Sequence, residues 1–206
     1  MNRKTVTLAL TGASGMGYAM RLLETLLAGG HTVYLVYSQA AQFVARQELD
    51  FPLPAKASEA RTALIEHYRC NPEQLQVFAR EDWTAPIASG SGVTDAMVVC
   101  PCTMGALSAI ANGASENLIE RAADVTIKEG RKLILVPRET PLSPIHLENM
   151  LKLSRIGVVM LAANPGFYHR PATVQEVVDF IVARILDQLG VEHTLMARWG
   201  ELKLND

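Results

Sequence analysis

Apolar positions along the chain follow two alternating patterns. Short, nearly continuous hydrophobic runs occur at 6–10, 31–37, 95–100, 132–136 and 158–162, with a weaker one at 74–78. A run without polar interruption is what a strand covered on both faces of a parallel sheet requires. Between the runs the spacing lengthens to that of a helix. Helices are predicted over 16–27, 39–47, 57–69, 106–111, 117–129, 144–156 and 173–189. Several ends carry their own signals. Ser38 is placed as an N-cap, Gly130 and Gly157 follow helices as stops, and Pro52 and Pro54 forbid a regular helix over 48–54. Strand and helix alternate to the end with no repeat, linker or composition break. That order predicts an α/β protein, a three-layer αβα sandwich around a largely parallel sheet. Residues 1–190 are expected to form one domain. Residues 191–206 are expected to be a tail, its Trp199 packing on the body or on a neighbouring subunit.

The first strand–turn–helix unit carries the clearest chemical signal. Glycines at 12 and 15 let the chain turn sharply and let a ligand approach the backbone. The helix start beyond them is expected to offer unpaired amides and a positive dipole end to a phosphate. The spacing Gly12, Gly15, Gly17 is not the G-x-G-x-x-G fingerprint, and no G-K-[ST] follows, so a P-loop is excluded. A plain βα turn fits the same residues.

Composition narrows the field. The 206 residues are 49% hydrophobic, enough for a proper core. A net charge of −2 gives no electrostatic footprint for nucleic acid. No apolar run approaches the ~20 residues of a membrane helix. Met1-Asn2-Arg3-Lys4 leads directly into a strand without a cleavable leader, so a cytoplasmic protein is expected. Cys70, Cys100 and Cys102 show neither redox nor zinc spacing, and small buried thiols are the expectation. No histidine has an i, i+4 partner suited to a metal, so no metal is expected.

In parallel sheets ligands gather beyond the carboxyl ends of the strands. Those ends hold Thr11 to Ser14, Ser38, Cys102 to Gly105, Arg138-Glu139 and Phe167-Tyr168, and are expected to converge on one rim. Trp83 stands before a Ser/Gly run at 88–92 that reads either as a linker tip or as a binding loop. Arg121 and Lys128 share a helical face, with Asp124 between them. A salt-bridge ladder accounts for the trio as simply as a ligand does. Arg184 borders the apolar stripe of the 173–189 helix, either snorkelling or serving as a fixed phosphate clamp. Glu48 and Glu139, each beside a loop near the rim, read as proton shuttles or as plain surface acids.

Taken together, a set of motifs resembles one family over nearly the whole chain. They are Leu10-Thr-Gly-Ala-Ser-Gly15, Ala88-Ser-Gly-Ser91, Cys100-Pro-Cys-Thr103, Leu118-Ile-Glu-Arg-Ala-Ala-Asp124, Leu135-Val-Pro-Arg-Glu-Thr-Pro141, His146-Leu-Glu-Asn-Met150 and Pro165-Gly-Phe-Tyr-His-Arg-Pro171. In this order they are similar to the flavin prenyltransferases of the UbiX type. The resemblance implies a Rossmann-like or flavodoxin-like flavoprotein fold assembled as a homododecamer. It implies binding of reduced FMN and dimethylallyl phosphate, without a metal. The prenyl carbon is joined to flavin N5 and a fourth ring is closed onto C6. The prenylated FMN passes to a UbiD-type decarboxylase, as in ubiquinone biosynthesis or aromatic-acid breakdown.

By the same resemblance, Gly12, Ala13 and Ser14 hold FMN, with Ser14 near N5. Ser38, Thr103, Met104, Gly105, Ala106 and Arg138 also contact the flavin. Arg121, Lys128, Glu139, Tyr168 and Arg184 surround the prenyl phosphate, Glu48 moves a proton, and Trp83 and Trp199 line the site. The chain departs from the family at Gln39, where a lysine is common, and at Met104, where a smaller or polar residue is common. Two other readings compete. One is a flavin-dependent decarboxylase on the same fold, which depends on a histidine with no match here. The other is a non-catalytic flavin-binding regulatory subunit, which the retained cationic residues disfavour.

Overall fold

A computed structural model of the protein describes residues 3–51 and 53–196. Six strands form one parallel sheet in the order β3-β2-β1-β4-β5-β6. They are β1 (Thr5–Leu10), β2 (Thr32–Tyr37), β3 (Leu75–Phe78), β4 (Ala96–Cys102), β5 (Lys132–Pro137) and β6 (Val159–Met160). The helices are α1 (Met16–Ala28), α2 (Gln39–Glu48), α3 (Ala57–Tyr68), α4 (Met104–Ala111), α5 (Leu118–Lys128), α6 (Pro144–Arg155) and α7 (Val174–Leu189).

Alternation along the buried strands builds two cores from one sheet. Leu8, Leu10, Val98, Ile134 and Val136 face one side, packed with Leu22, Leu23 and Leu26 of α1 and Ile181 and Ile185 of α7. Ala9, Val36, Met97, Val99, Leu133 and Leu135 face the other, against Leu107 of α4, Ala122 of α5 and Leu153 of α6. Each fully buried leucine contributes about 1.5–3 kcal/mol of transfer free energy. This is the three-layer αβα sandwich read from the sequence. The tail beyond α7 begins on the body, with Val191 buried in the first core and Leu195 packed against it.

The strand order reverses direction about β1, whose neighbours are β2 and β4. A crevice opens beyond the carboxyl ends at such a switch point, and ligands of doubly wound sheets bind there. Two boundaries differ from the sequence reading, and both differences bear on that rim. β4 continues through Pro101 to Cys102, and α4 starts at Met104 rather than 106. Thr103 makes the change of direction in one residue, its Oγ1 accepting the Ala106 N–H while its own N–H donates to Thr11 Oγ1 at 2.8 Å. β6 is shorter than expected, although the Leu161 and Ala163 amides still donate to the carbonyls of Leu135 and Pro137.

Candidate active site

The helix starts that meet the rim are not equivalent. At α1 the amides of Gly15 and Met16 both donate to Glu48 Oε2, at 2.9 and 2.8 Å. The α1 start therefore does not offer the open amides expected of it; a carboxylate of the chain occupies them, favoured by the positive end of the helix. This pins Glu48, at the end of α2, beside Ser14, which stands exposed at the tip of the β1–α1 turn above the buried Ala13.

The starts of α2 and α4 stay open. Ser38 Oγ accepts from Ala41 N–H and Thr103 Oγ1 from Ala106 N–H, each at 3.1 Å. The first amides of both helices have no acceptor within their own helix. Between these starts lies a cleft of about 340 Å³ lined by Thr11, Gly12, Ser38, Gln39, Ala40, Arg80, Thr103, Ala106, Asn117, Ile119 and Glu120. The volume falls within the roughly 300–1,000 Å³ of small-molecule sites. Gly12 closes its floor, where a Cβ would collide with the Cβ of Ala40, so only glycine lets the β1 turn and α2 approach this closely. Thr11, buried, ties β1 to β4 by donating its hydroxyl to the Pro101 carbonyl at 2.8 Å. Cys100 and Cys102 lie buried beneath, and desolvation pushes the Cys102 thiol up to about 12 and Cys100 up as well, so both remain protonated. Arg138, at the end of β5, has a buried Nε without an acceptor. That donor, the open amides and the glycine floor suit a ligand with a phosphate and ring acceptors, as a flavin mononucleotide has. Met104 turns its side chain into the core, so only its backbone faces the rim, whereas Gly105 is exposed.

A second polar cradle lies elsewhere. On α5, Arg121 Nε donates to the Ala88 carbonyl at 2.9 Å, and its Nη1 pairs with Asp124 at 3.0 Å. Lys128 pairs with Glu129 rather than completing a ladder to Asp124. The 88–92 run lies against both cations as two tight turns, Pro86–Ala88 and Gly90–Gly92. At Gly90 a Cβ would collide with the Glu129 carboxylate and stand 3.0 Å from Lys128 Nζ. The Ser/Gly run thus packs against the two ion-paired cations of α5 and is not a linker tip. The distance of the far cation, Lys128, from the rim follows from α5 itself. The Leu118 amide donates to the Arg80 carbonyl at the rim, and ten residues of helix place Lys128 about 15 Å further on.

The remaining candidates are spread over the surface. Glu139 is exposed and Trp83 is 50% exposed. Tyr168 is 54% exposed and makes an edge contact with Phe180 at 5.7 Å. Arg184 pairs with Asp187 at 2.6 Å on the exposed side of α7, and Asp187 also faces His193 at 3.3 Å. α7 and α5 cover opposite faces of the sheet, so one protomer does not bring Arg184 to Lys128. Trp199 lies outside the described residues. Sequence reasoning passed over Arg80, Asn117 and Glu120 in the rim cleft. Arg80 was within reach, because it stands just past β3, the strand end that was not counted among the others. Among the described residues no group of three or more His, Cys, Asp or Glu is arranged to hold a metal ion, and no helix is long and apolar enough to cross a membrane.

The six-stranded parallel sheet with a cleft at its switch point is a doubly wound α/β fold, and the family described as Flavoprotein matches residues 1–186, which makes the chain an α/β flavoprotein. The flavin prenyltransferase UbiX of Pseudomonas aeruginosa is 54% identical over 199 residues, covering 97% of this chain and 95% of the relative. Among solved structures, AnUbiX (PadA1) in complex with FMN and dimethylallyl pyrophosphate has a TM-score of 0.87 and 36% identity, covering 98% of this chain and 100% of that one. The dodecameric FMN-dependent UbiX-like decarboxylase from Escherichia coli O157:H7 has a TM-score of 0.81 and 42% identity, covering 92% and 96%. The chain belongs to the UbiX family of flavin prenyltransferases.

Proposed function

We propose that the protein transfers a dimethylallyl group from dimethylallyl phosphate to N5 and C6 of reduced FMN. The observation that supports this reading is that α5 carries Arg121 and Lys128 onward from the rim cleft, against the 88–92 turns. The rim cleft suits a flavin mononucleotide, and the Arg121–Lys128 pair suits a leaving phosphate. Reduced FMN, bound at the rim, supplies the nucleophilic ring atoms. The protein's part is positional and electrostatic. Arg121 and Lys128 are fixed against the 88–92 turns and stabilise the negative charge that grows on a departing phosphate without reorganising. Arg138 orients the ring by its unpaired Nε–H. Glu48 holds two amides through Oε2, leaving Oε1 to exchange a proton beside Ser14. Because α5 and α7 lie on opposite faces, Tyr168 and Arg184 reach the phosphate from a neighbouring copy, as a homododecamer would allow. Glu139 and Trp83 complete the wall. No histidine lines the rim cleft, which speaks against a cysteine-type decarboxylase. The product then goes to a UbiD-type decarboxylase in the cytoplasm.

Mass spectrometry of the flavin after incubation with reduced FMN and dimethylallyl phosphate tests the reading, with the pyrophosphate run in parallel. A flavin heavier by one prenyl unit is expected. Unmodified FMN with both donors would overturn it.

A further inference from the structure

Arg80 has no role in the reaction as described, yet it lines the rim cleft and also an adjoining cavity of about 270 Å³. It is the one cation among the residues lining the cleft. Its backbone is fixed, because its carbonyl accepts the Leu118 N–H at 2.8 Å where α5 begins. Its guanidinium makes no hydrogen bond or ion pair among the described residues. The acid that shares the cleft, Glu120, does not claim it. The Glu120 carboxylate accepts from the Glu116 N–H at 2.9 Å and from Asn117 Nδ2 at 2.7 Å. Gln39, across the cleft, is neutral.

From this placement we infer that Arg80 is the cation that binds the phosphate of FMN. The inference rests on the FMN reading above and specifies the end of the cleft where the phosphate lies. The prenyl phosphate is assigned instead to the neighbourhood of Lys128, about 15 Å further along α5. A guanidinium offers a planar pair of donors to two phosphate oxygens, which a neutral lining cannot replace. Arg80 thus adds a charged contact from beyond β3 to those offered by the open amides of α2 and α4.

The test is the dissociation constant of the whole protein for FMN and for riboflavin, which lacks the phosphate, in wild type and Arg80→Gln. Loss of a charge-assisted contact should weaken FMN binding by about ten- to a hundredfold and leave riboflavin nearly unchanged. Adding Gln39→Lys to Arg80→Gln, which returns a cation to the same cleft, should recover much of the FMN affinity. The inference is overturned if Arg80→Gln binds FMN as tightly as wild type, or if riboflavin binding falls equally. Wild type preferring FMN, with that preference intact in Arg80→Gln, sinks Arg80 alone. Wild type taking up neither flavin sinks the FMN reading and this inference with it.

Discussion

Glu48 shows how one residue's role depends on a partner far away in sequence. Read along the chain it is an acid beside a loop; folded, it takes two amides of α1 and stands next to Ser14. Glu48→Gln keeps the shape and one good acceptor, so FMN binding should persist, with a stability loss of only about 0.3–1 kcal/mol from the helix end. Prenyl transfer should slow by roughly a hundredfold or more if the carboxylate moves a proton. Single-turnover product formation beside FMN affinity separates the two, and an unchanged rate would leave Glu48 as a cap alone. His31 acts at the opposite end of the sheet. Its Nδ1 accepts the Lys4 N–H at 3.1 Å, a bond open only to the neutral ring. Burial, and then the charge of Lys4, hold its pKa below the ordinary histidine value. The unfolded chain then takes up the proton first, so the contribution is full above about pH 6.5 and is lost as pH falls through that value toward the folded pKa. Thermal melts of wild type against His31→Asn, from about pH 8 to about pH 5, should show a steeper acid decline in wild type. Parallel curves would contradict it.

Among the elements, α5 does the most for the site, reaching from the rim cleft to the second cradle. Its start depends on Asn117, buried, whose Oδ1 accepts from Ile119 and Glu120 N–H at 3.1 and 3.2 Å. Asn117→Ala should cost about 1–2 kcal/mol, and Asn117→Asp should not escape a loss, because it keeps the cap but sets a second carboxylate against Glu120. At about 2–4 °C per kcal/mol for a chain of this size, calorimetry resolves these losses. Equal melting of Asn117→Ala and wild type would show that the cap contributes nothing. Helix and strand identities were legible because core burial leaves its period in the sequence. The ends near the rim were less so. Cys100-Pro-Cys102 reads locally as a turn, yet the strand runs on because Thr11, some ninety residues earlier, receives the Thr103 amide. No local pattern carries that bond.

For the whole molecule, the central question is how many copies make one site. Lys128→Ala and Arg184→Ala should each depress turnover. If Lys128 and Arg184 meet only between copies, co-expressing the two variants should restore activity, with about a quarter of the sites in a mixed assembly carrying both residues intact. Activity no higher than that of either variant alone would put both residues in one copy. The sequence by itself determined the αβα sandwich, the alternation of its elements and the family, because these follow from periodicity and from motifs that run in order along the chain. Some strand-end residues, Thr11, Gly12, Ser38 and Thr103 among them, could be named as rim residues without coordinates. Only the tertiary structure decided that the α1 start is filled by Glu48, that Arg121 and Lys128 pack on the 88–92 turns, and that α7 covers the opposite face of the sheet from α5. The reason is physical. Periodicity records which face of an element is buried, but which side of the sheet a helix covers, and which strand end meets which helix start, is set by crossovers and contacts between residues distant in the chain.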